Sequence, residues 1–254
     1  MYFFLKNLSF IDLCYISVTV PKFALNSLMN RNKISFLGCV SQVFFFLCFG
    51  AAELAILTVM SYDRYMAVCC PLHYETIMNK GACGQMVVAS YISVGIYAAM
   101  HMAATFSTTF SSNKIHHFFC DIPHIMLISD SKTNINEASL TAFGASISLI
   151  CFLSILYSYV HIFSAVSRIS SLEGRSKALS TCLPHVVVVT VFISTGAVAF
   201  LKPASELKSI VDLVLSVFYT VVPPSVNPII YSLRNKDIKV TIGKLLAVVV
   251  IKSN

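Results

Sequence analysis

Six stretches of about 20 predominantly apolar residues, the length that crosses a bilayer as a helix, recur along this chain and limit its architecture more than any other feature. They run Leu8–Met29, Cys39–Met60, Met86–Phe106, Leu140–Phe163, Ala178–Phe200 and Ile210–Tyr231. A bilayer interior offers no water to backbone N–H and C=O groups, so only helices and closed barrels span it. The every-second-residue alternation of a barrel strand is absent, and the expected fold class is an all-α membrane protein. Prolines within the spans, such as Pro21, Pro184 and Pro228, are tolerated because neighbouring helices satisfy the freed backbone groups. Composition agrees, since 57% of the 254 residues are hydrophobic and 11% charged, with a mean hydropathy of +0.79, too apolar for a soluble domain.

The net charge of +7 is no nucleic-acid footprint, because the bases are scattered among apolar runs and form no basic stripe. They set topology instead. Eleven Lys and Arg, among them Lys6, Arg64, Lys80, Arg168, Arg175 and Lys177, fall on the side of the C-terminus, against seven on the other side, which also carries more of the acids. The positive-inside rule makes the first side cytoplasmic, and places Asp63-Arg64-Tyr65 at the inner surface. The longest outer connection, 107–137, reads as a lid over the bundle. It carries Cys120, while Cys39 sits at the outer end of the second span. An oxidising compartment favours a bridge between them over two free thiols. Near the C-terminus, residues 234–246 interleave lysines with apolar residues at helical spacing, which suits an amphipathic helix in the inner interface. The chain thus reads as a single transmembrane domain, 1–254, with a lid and an interfacial helix.

Ionisable groups at membrane depth are costly and point to function. Asp12 and Glu53 qualify, Glu53 lying about 16 Å along its helix from Arg64, near mid-membrane. Asn227, one turn before Tyr231, is close in depth. Facing carboxylates need a sodium-sized cation, a shared proton, or neutral hydrogen bonding to a serine or a carbonyl. His101 and His185 are each alone in their spans and read as packed, hydrogen-bonded residues rather than metal ligands. The adjacent Cys69-Cys70 read as packing residues, with palmitoylation as the alternative. A glycine-rich phosphate loop, HExxH, GxSxG and zinc-spaced cysteine pairs are all missing, so no enzyme is expected.

Four stretches together resemble the odorant (olfactory) receptors of the rhodopsin-like G-protein-coupled class. They are Leu8 to Cys14 with Pro21-Lys22; Met60 to Cys69 with Pro71-Leu72-His73-Tyr74; Lys177 to Cys182 with His185; and Pro224 to Asn235. The resemblance spans essentially the whole chain and implies a bundle of six transmembrane helices, the second to seventh of a seven-helix receptor. The family's first helix would precede Met1. It also implies a small hydrophobic odorant as ligand, a stimulatory heterotrimeric G protein and cAMP as output, and a multi-pass location in the plasma membrane of olfactory cilia.

By the same resemblance, Asp63, Arg64, Tyr65, Tyr159 and Tyr231 would form the G-protein switch, with Asp63 holding Arg64 at rest. Cys39 and Cys120 match the pair that bridges the outer loop to the bundle, and Asp12, Glu53 and Asn227 match the central polar cluster, a sodium site with no other cofactor implied. The ligand cavity would lie between the second, fourth and fifth spans of this chain, walled by Phe46, Leu47, Gly50, Ala51, Phe143, Gly144, Ile147, Ile193, Gly196 and Phe200. The sequence departs from the family at Phe110 and Asp130, where many relatives have cysteines, and at Ile193, where many have a tyrosine. A truncated, non-signalling receptor product and a small ion-coupled transporter using Asp12, Glu53 and His185 are the alternative expectations.

Overall fold

The computed structural model describes residues 2–29, 33–112, 115, 119–129, 135–200 and 210–232. Six long helices account for most of them: α1 (Tyr2–Leu28), α2 (Phe36–Cys69), α4 (Lys80–Phe106), α6 (Ile135–Ser167), α7 (Leu172–Phe200) and α8 (Ile210–Ser232). Two short helices, α3 (Tyr74–Ile77) and α5 (Ile122–Met126), sit in the connections. No strand occurs among the described residues, and one isolated bridge joins Phe110 to Ser129. All six predicted spans are present, and α1, α2, α4, α6 and α7 are long and apolar enough to cross a membrane. The predicted interfacial helix, 234–246, lies outside the described residues.

The helices overrun the predicted spans because hydropathy marks where lipid ends, whereas hydrogen bonding and caps mark where a helix ends. Ser35 caps α2 by accepting from the Gly38 N–H at 3.1 Å, and Asn79 caps α4 through Ala82 at 2.9 Å. At its other end α2 stops at Cys69, because Cys70 precedes Pro71 and a residue before proline is pushed out of the helical region. Ile135 and Glu137, expected in the outer lid, belong to the first turn of α6.

α2 is the axis of the bundle and packs against α1, α4, α6 and α7, while α8 closes on α1 and α7. The inner half holds a continuous core in which Phe4 and Ile11 of α1 meet Ile56 and Met60 of α2 and Ile162 of α6. Large apolar side chains also cover the outside, for example Leu13, Ile150 and Val160. In a soluble protein that surface would aggregate; around a membrane bundle it is the face that meets lipid.

Candidate functional site

The inner surface is built on the last two turns of α2. Consecutive helical positions point about 100° apart, so Asp63 turns into the bundle, where it is buried, while Tyr65 faces Tyr157 and His161 of α6 at centroid distances of 6.2 and 6.1 Å. Asp63 accepts a hydrogen bond from Tyr74 Oη at 2.9 Å, which ties the turn after α2 to the helix. Burial, and then the bond to Asp63, pushes the Tyr74 phenol up to about 12, so it stays a donor throughout the physiological range. The Nε of Arg64 is buried with no hydrogen-bond partner among the described residues.

One turn further into the bundle, Tyr159 of α6 meets His185 of α7, Oη to Nδ1 2.7 Å, and the other ring nitrogen of His185 lies 3.1 Å from the Leu57 carbonyl of α2. A carbonyl only accepts, so Nε2 carries a proton. A second proton would make a buried imidazolium, and no carboxylate contacts this ring among the described residues. Nδ1 therefore accepts and Tyr159 donates. A single imidazole, 0% exposed, fastens three helices beside Arg64. The side chain of Tyr231, the other predicted switch tyrosine, lies outside the described residues.

At mid-membrane, Asn227 of α8 donates to Asp12 Oδ1 of α1 at 3.0 Å and to Glu53 Oε1 of α2 at 2.7 Å. All three are buried, and the second oxygens of both acids, Oδ2 and Oε2, have no hydrogen-bond partner among the described residues. Two carboxylates sharing one amide in a low-dielectric interior require a proton or a cation to offset their repulsion. The three residues that the resemblance grouped as a central polar cluster thus meet across three helices. Among the described residues, no three His, Cys, Asp or Glu side chains converge on a metal position.

The outer end is held by covalent and polar ties. Cys39 and Cys120 are bonded, with Cα atoms 5.5 Å apart. Beside them, buried Gln42 donates to the Val18 carbonyl and accepts from the Cys120 N–H, both at 2.9 Å, so one side chain ties α1, α2 and the outer loop. Phe46 stacks on Tyr15 at 5.1 Å and touches Phe119 of the loop at 5.0 Å, in a cluster that Tyr219 of α8 closes while donating to Asp121.

The described positions expected to wall a ligand cavity have varied surroundings. Leu47 packs against the disulfide cluster, the Tyr15 ring covers Gly50, Ala51 is half-buried, and Ile193 packs on the inner core. Gly196 has open space where a Cβ would stand. On α6, Gly144 faces α4, where a Cβ would run into the Tyr97 hydroxyl, and Phe143 and Ile147 are exposed. The Phe200 side chain lies outside the described residues.

A further polar site escaped the sequence reading. Glu137 of α6 is buried and receives both Nδ1 of His101, at 2.6 Å, and the Thr105 hydroxyl, at 3.0 Å, from α4. His101 is alone within its own helix, and its partner lies 36 residues away, so no local spacing could reveal the pair.

The fold is that of rhodopsin-type receptors: the crystal structure of squid rhodopsin superposes with a TM-score of 0.66 at 18% identity, covering 97% of this chain and 75% of that one. In sequence, the family described as olfactory receptor matches residues 1–248. Human olfactory receptor 14A16 is 56% identical over 247 residues, covering 97% of this chain and 80% of the relative. Human olfactory receptors 14L1 and 14J1 are 53% and 52% identical, covering 96% and 97% of this chain and 75% and 77% of their own lengths. The chain belongs to the olfactory receptor family. It is a multi-pass membrane receptor and not an enzyme.

Proposed function

We propose that this chain binds a small, hydrophobic odorant from the outer side and passes the signal to a stimulatory heterotrimeric G protein, raising cAMP at the plasma membrane of olfactory cilia. The carrying observation is the Tyr159–His185–Leu57 chain, which pins α6 and α7 to α2 beside Arg64. Ligand binding favours a packing in which the inner end of α7 swings away, this chain breaks and Arg64 becomes accessible to the G protein, a population shift between two states. Asp63, Tyr65 and Tyr231 complete the switch, and the outer connection between α4 and α6 acts as the lid.

The mid-membrane cluster supports a sodium ion that would sit between the unpartnered oxygens of Asp12 and Glu53 and stabilise the resting packing. Two carboxylate oxygens and an amide suit a hard cation, for which oxygen donors are preferred. The ligand walls named from the family remain part of this reading, and Gly196 among them has open space where a Cβ would stand. The test is odorant-evoked cAMP in cells expressing the chain, with and without Arg64→Ala. A response that Arg64→Ala abolishes at unchanged surface level supports the reading, and a response that survives it overturns it.

A further inference from the structure

A groove of about 610 Å³ runs between α2 and α6 in the inner half of the bundle. It opens to the lipid face rather than to the bundle interior: Ile150, Leu153 and Tyr157 on its α6 wall are about half exposed. Its lining is graded along the membrane normal. α2 runs inward and α6 does too, so Val59, Ile150 and Leu153 form the end nearest mid-membrane, and Tyr62, Tyr65 and Tyr157 form the end nearest the cytoplasm. Among the described residues, no Lys, Arg, Asp or Glu lines it.

We propose that this groove is a sterol site of the inner leaflet. A pocket open to hydrocarbon is filled by a bilayer component, and the polarity gradient calls for an amphiphile whose polar end sits at the inner interface. The absence of charged lining residues disfavours a phosphate headgroup and fits a small neutral one. The hydroxyls of Thr58, Ser61, Ser154 and Ser158 already donate to carbonyls of their own helices at 2.8 to 2.9 Å, which leaves only their lone pairs to offer. The phenols of Tyr62 and Tyr157 supply donors, that of Tyr65 being directed to Cys70. A sterol hydroxyl, both donor and acceptor, satisfies both kinds of group, and a flat, rigid ring system loses little conformational freedom when it packs along the apolar end. Val59, Tyr62 and Arg64 also have the aliphatic, tyrosine, base order of a pattern proposed for sterol contact, a weak signal on its own. The site touches Tyr65, beside Arg64, and Ser158, beside Tyr159, so an occupant bears directly on the two helices joined by His185.

The test is photolabelling of the full chain in phosphatidylcholine nanodiscs with a diazirine-bearing cholesterol analogue, followed by peptide mapping. Adducts concentrate on residues 58–65 and 150–158 and fall roughly tenfold with excess unlabelled cholesterol. They fall similarly in Val59→Phe and in Ser154→Phe, which fill the groove from opposite walls, while Leu156→Phe, exposed on α6 outside the groove, leaves them unchanged. Retention of the Cys39–Cys120 bridge and a monodisperse elution peak report that each variant is folded; should both groove variants misfold, the competition in the unmodified chain still decides. Adducts spread evenly over the lipid-facing helices, insensitivity to cholesterol, equal labelling of the groove by an acyl-chain diazirine phosphatidylcholine, or a cross-link between two copies through Tyr157 that displaces the sterol would each overturn the proposal.

Discussion

Tyr159→Phe isolates the contact on which the switching mechanism depends. The ring and its stacking on His185, with centroids 5.6 Å apart, are kept, and a single hydroxyl is removed. The lost bond is 2.7 Å long and joins two buried groups, and its deletion leaves His185 Nδ1 without a donor. A net bond plus an unsatisfied buried acceptor costs about 1–3 kcal/mol. If the bond exists only in the resting packing, that whole cost falls on the resting state, and the active fraction rises by roughly 5–150-fold from a low baseline. The assay is basal cAMP, normalised to receptor copies at the surface, so no odorant need be known. His185→Phe removes the Leu57 bond as well and raises basal signalling further. In that background Tyr159→Phe adds almost nothing, giving a coupling of about 1–2 kcal/mol in a double-mutant cycle. Basal signalling that stays level or falls at equal surface expression, or single effects that simply add, would refute the reasoning.

Gln42→Leu removes two bonds at once and strands the Val18 carbonyl and the Cys120 N–H; a loss of about 2–4 kcal/mol is expected, read as a lower midpoint of thermal unfolding in detergent with the disulfide intact. Tyr74 has a folded pKa raised to about 12 from 10.0, so the stability it contributes is fully present below pH 10 and is lost as pH rises toward 12. Tyr74→Phe should therefore shift basal signalling by the same few-fold factor at every pH from 6 to 9, and a Tyr74 effect that varies across that window would contradict the assignment. Replacing choline by sodium should raise the thermal midpoint of the unmodified chain and leave Glu53→Gln unaffected; equal midpoints in both salts for the unmodified chain would exclude the cation and leave the shared proton.

Much of the architecture was legible because membrane insertion imposes a length rule that the sequence must obey. The six spans needed only counting, whereas Asp12, counted as only a turn or so into its span, was joined to Glu53 and Asn227 chiefly by the family resemblance, and the three do meet. Rotation was not legible. On α6 the lipid face and the bundle face are both apolar, so nothing in the sequence distinguishes Phe143 and Ile147, which are exposed, from Tyr159 and Ile162, which are buried. Partnerships between helices were hidden for a related reason. His101 and His185 each look isolated along the chain, yet each bonds a residue on another helix, Glu137 and Tyr159, 36 and 26 residues away.

These contacts divide the labour within the bundle. α2 carries Cys39 and Gln42 outside, Glu53 and Leu57 in the middle, and Asp63 and Arg64 inside, along one helix of 34 residues. Its long apolar contacts with α1, α4 and α6 in the core make it the element least able to shift. A signal from the outer face must then move the helices hung on it, and coupling requires an element with two discrete arrangements. α7 fits that role. At the inner end of α7, Arg175 donates to the Ser167 carbonyl of α6 at 2.9 Å; deeper in the bundle one ring, His185, carries two bonds, from Nε2 to a backbone carbonyl of α2 and from Nδ1 to the Tyr159 hydroxyl of α6. Rotating one imidazole out of register releases both at once, whereas α8 is held through Asn227 by two separate carboxylates on α1 and α2. Freeing α8 demands breaks at two carboxylates on two helices, whereas displacing the His185 side chain breaks two bonds of α7 together, and that is where a modest differential in ligand binding acts on the state.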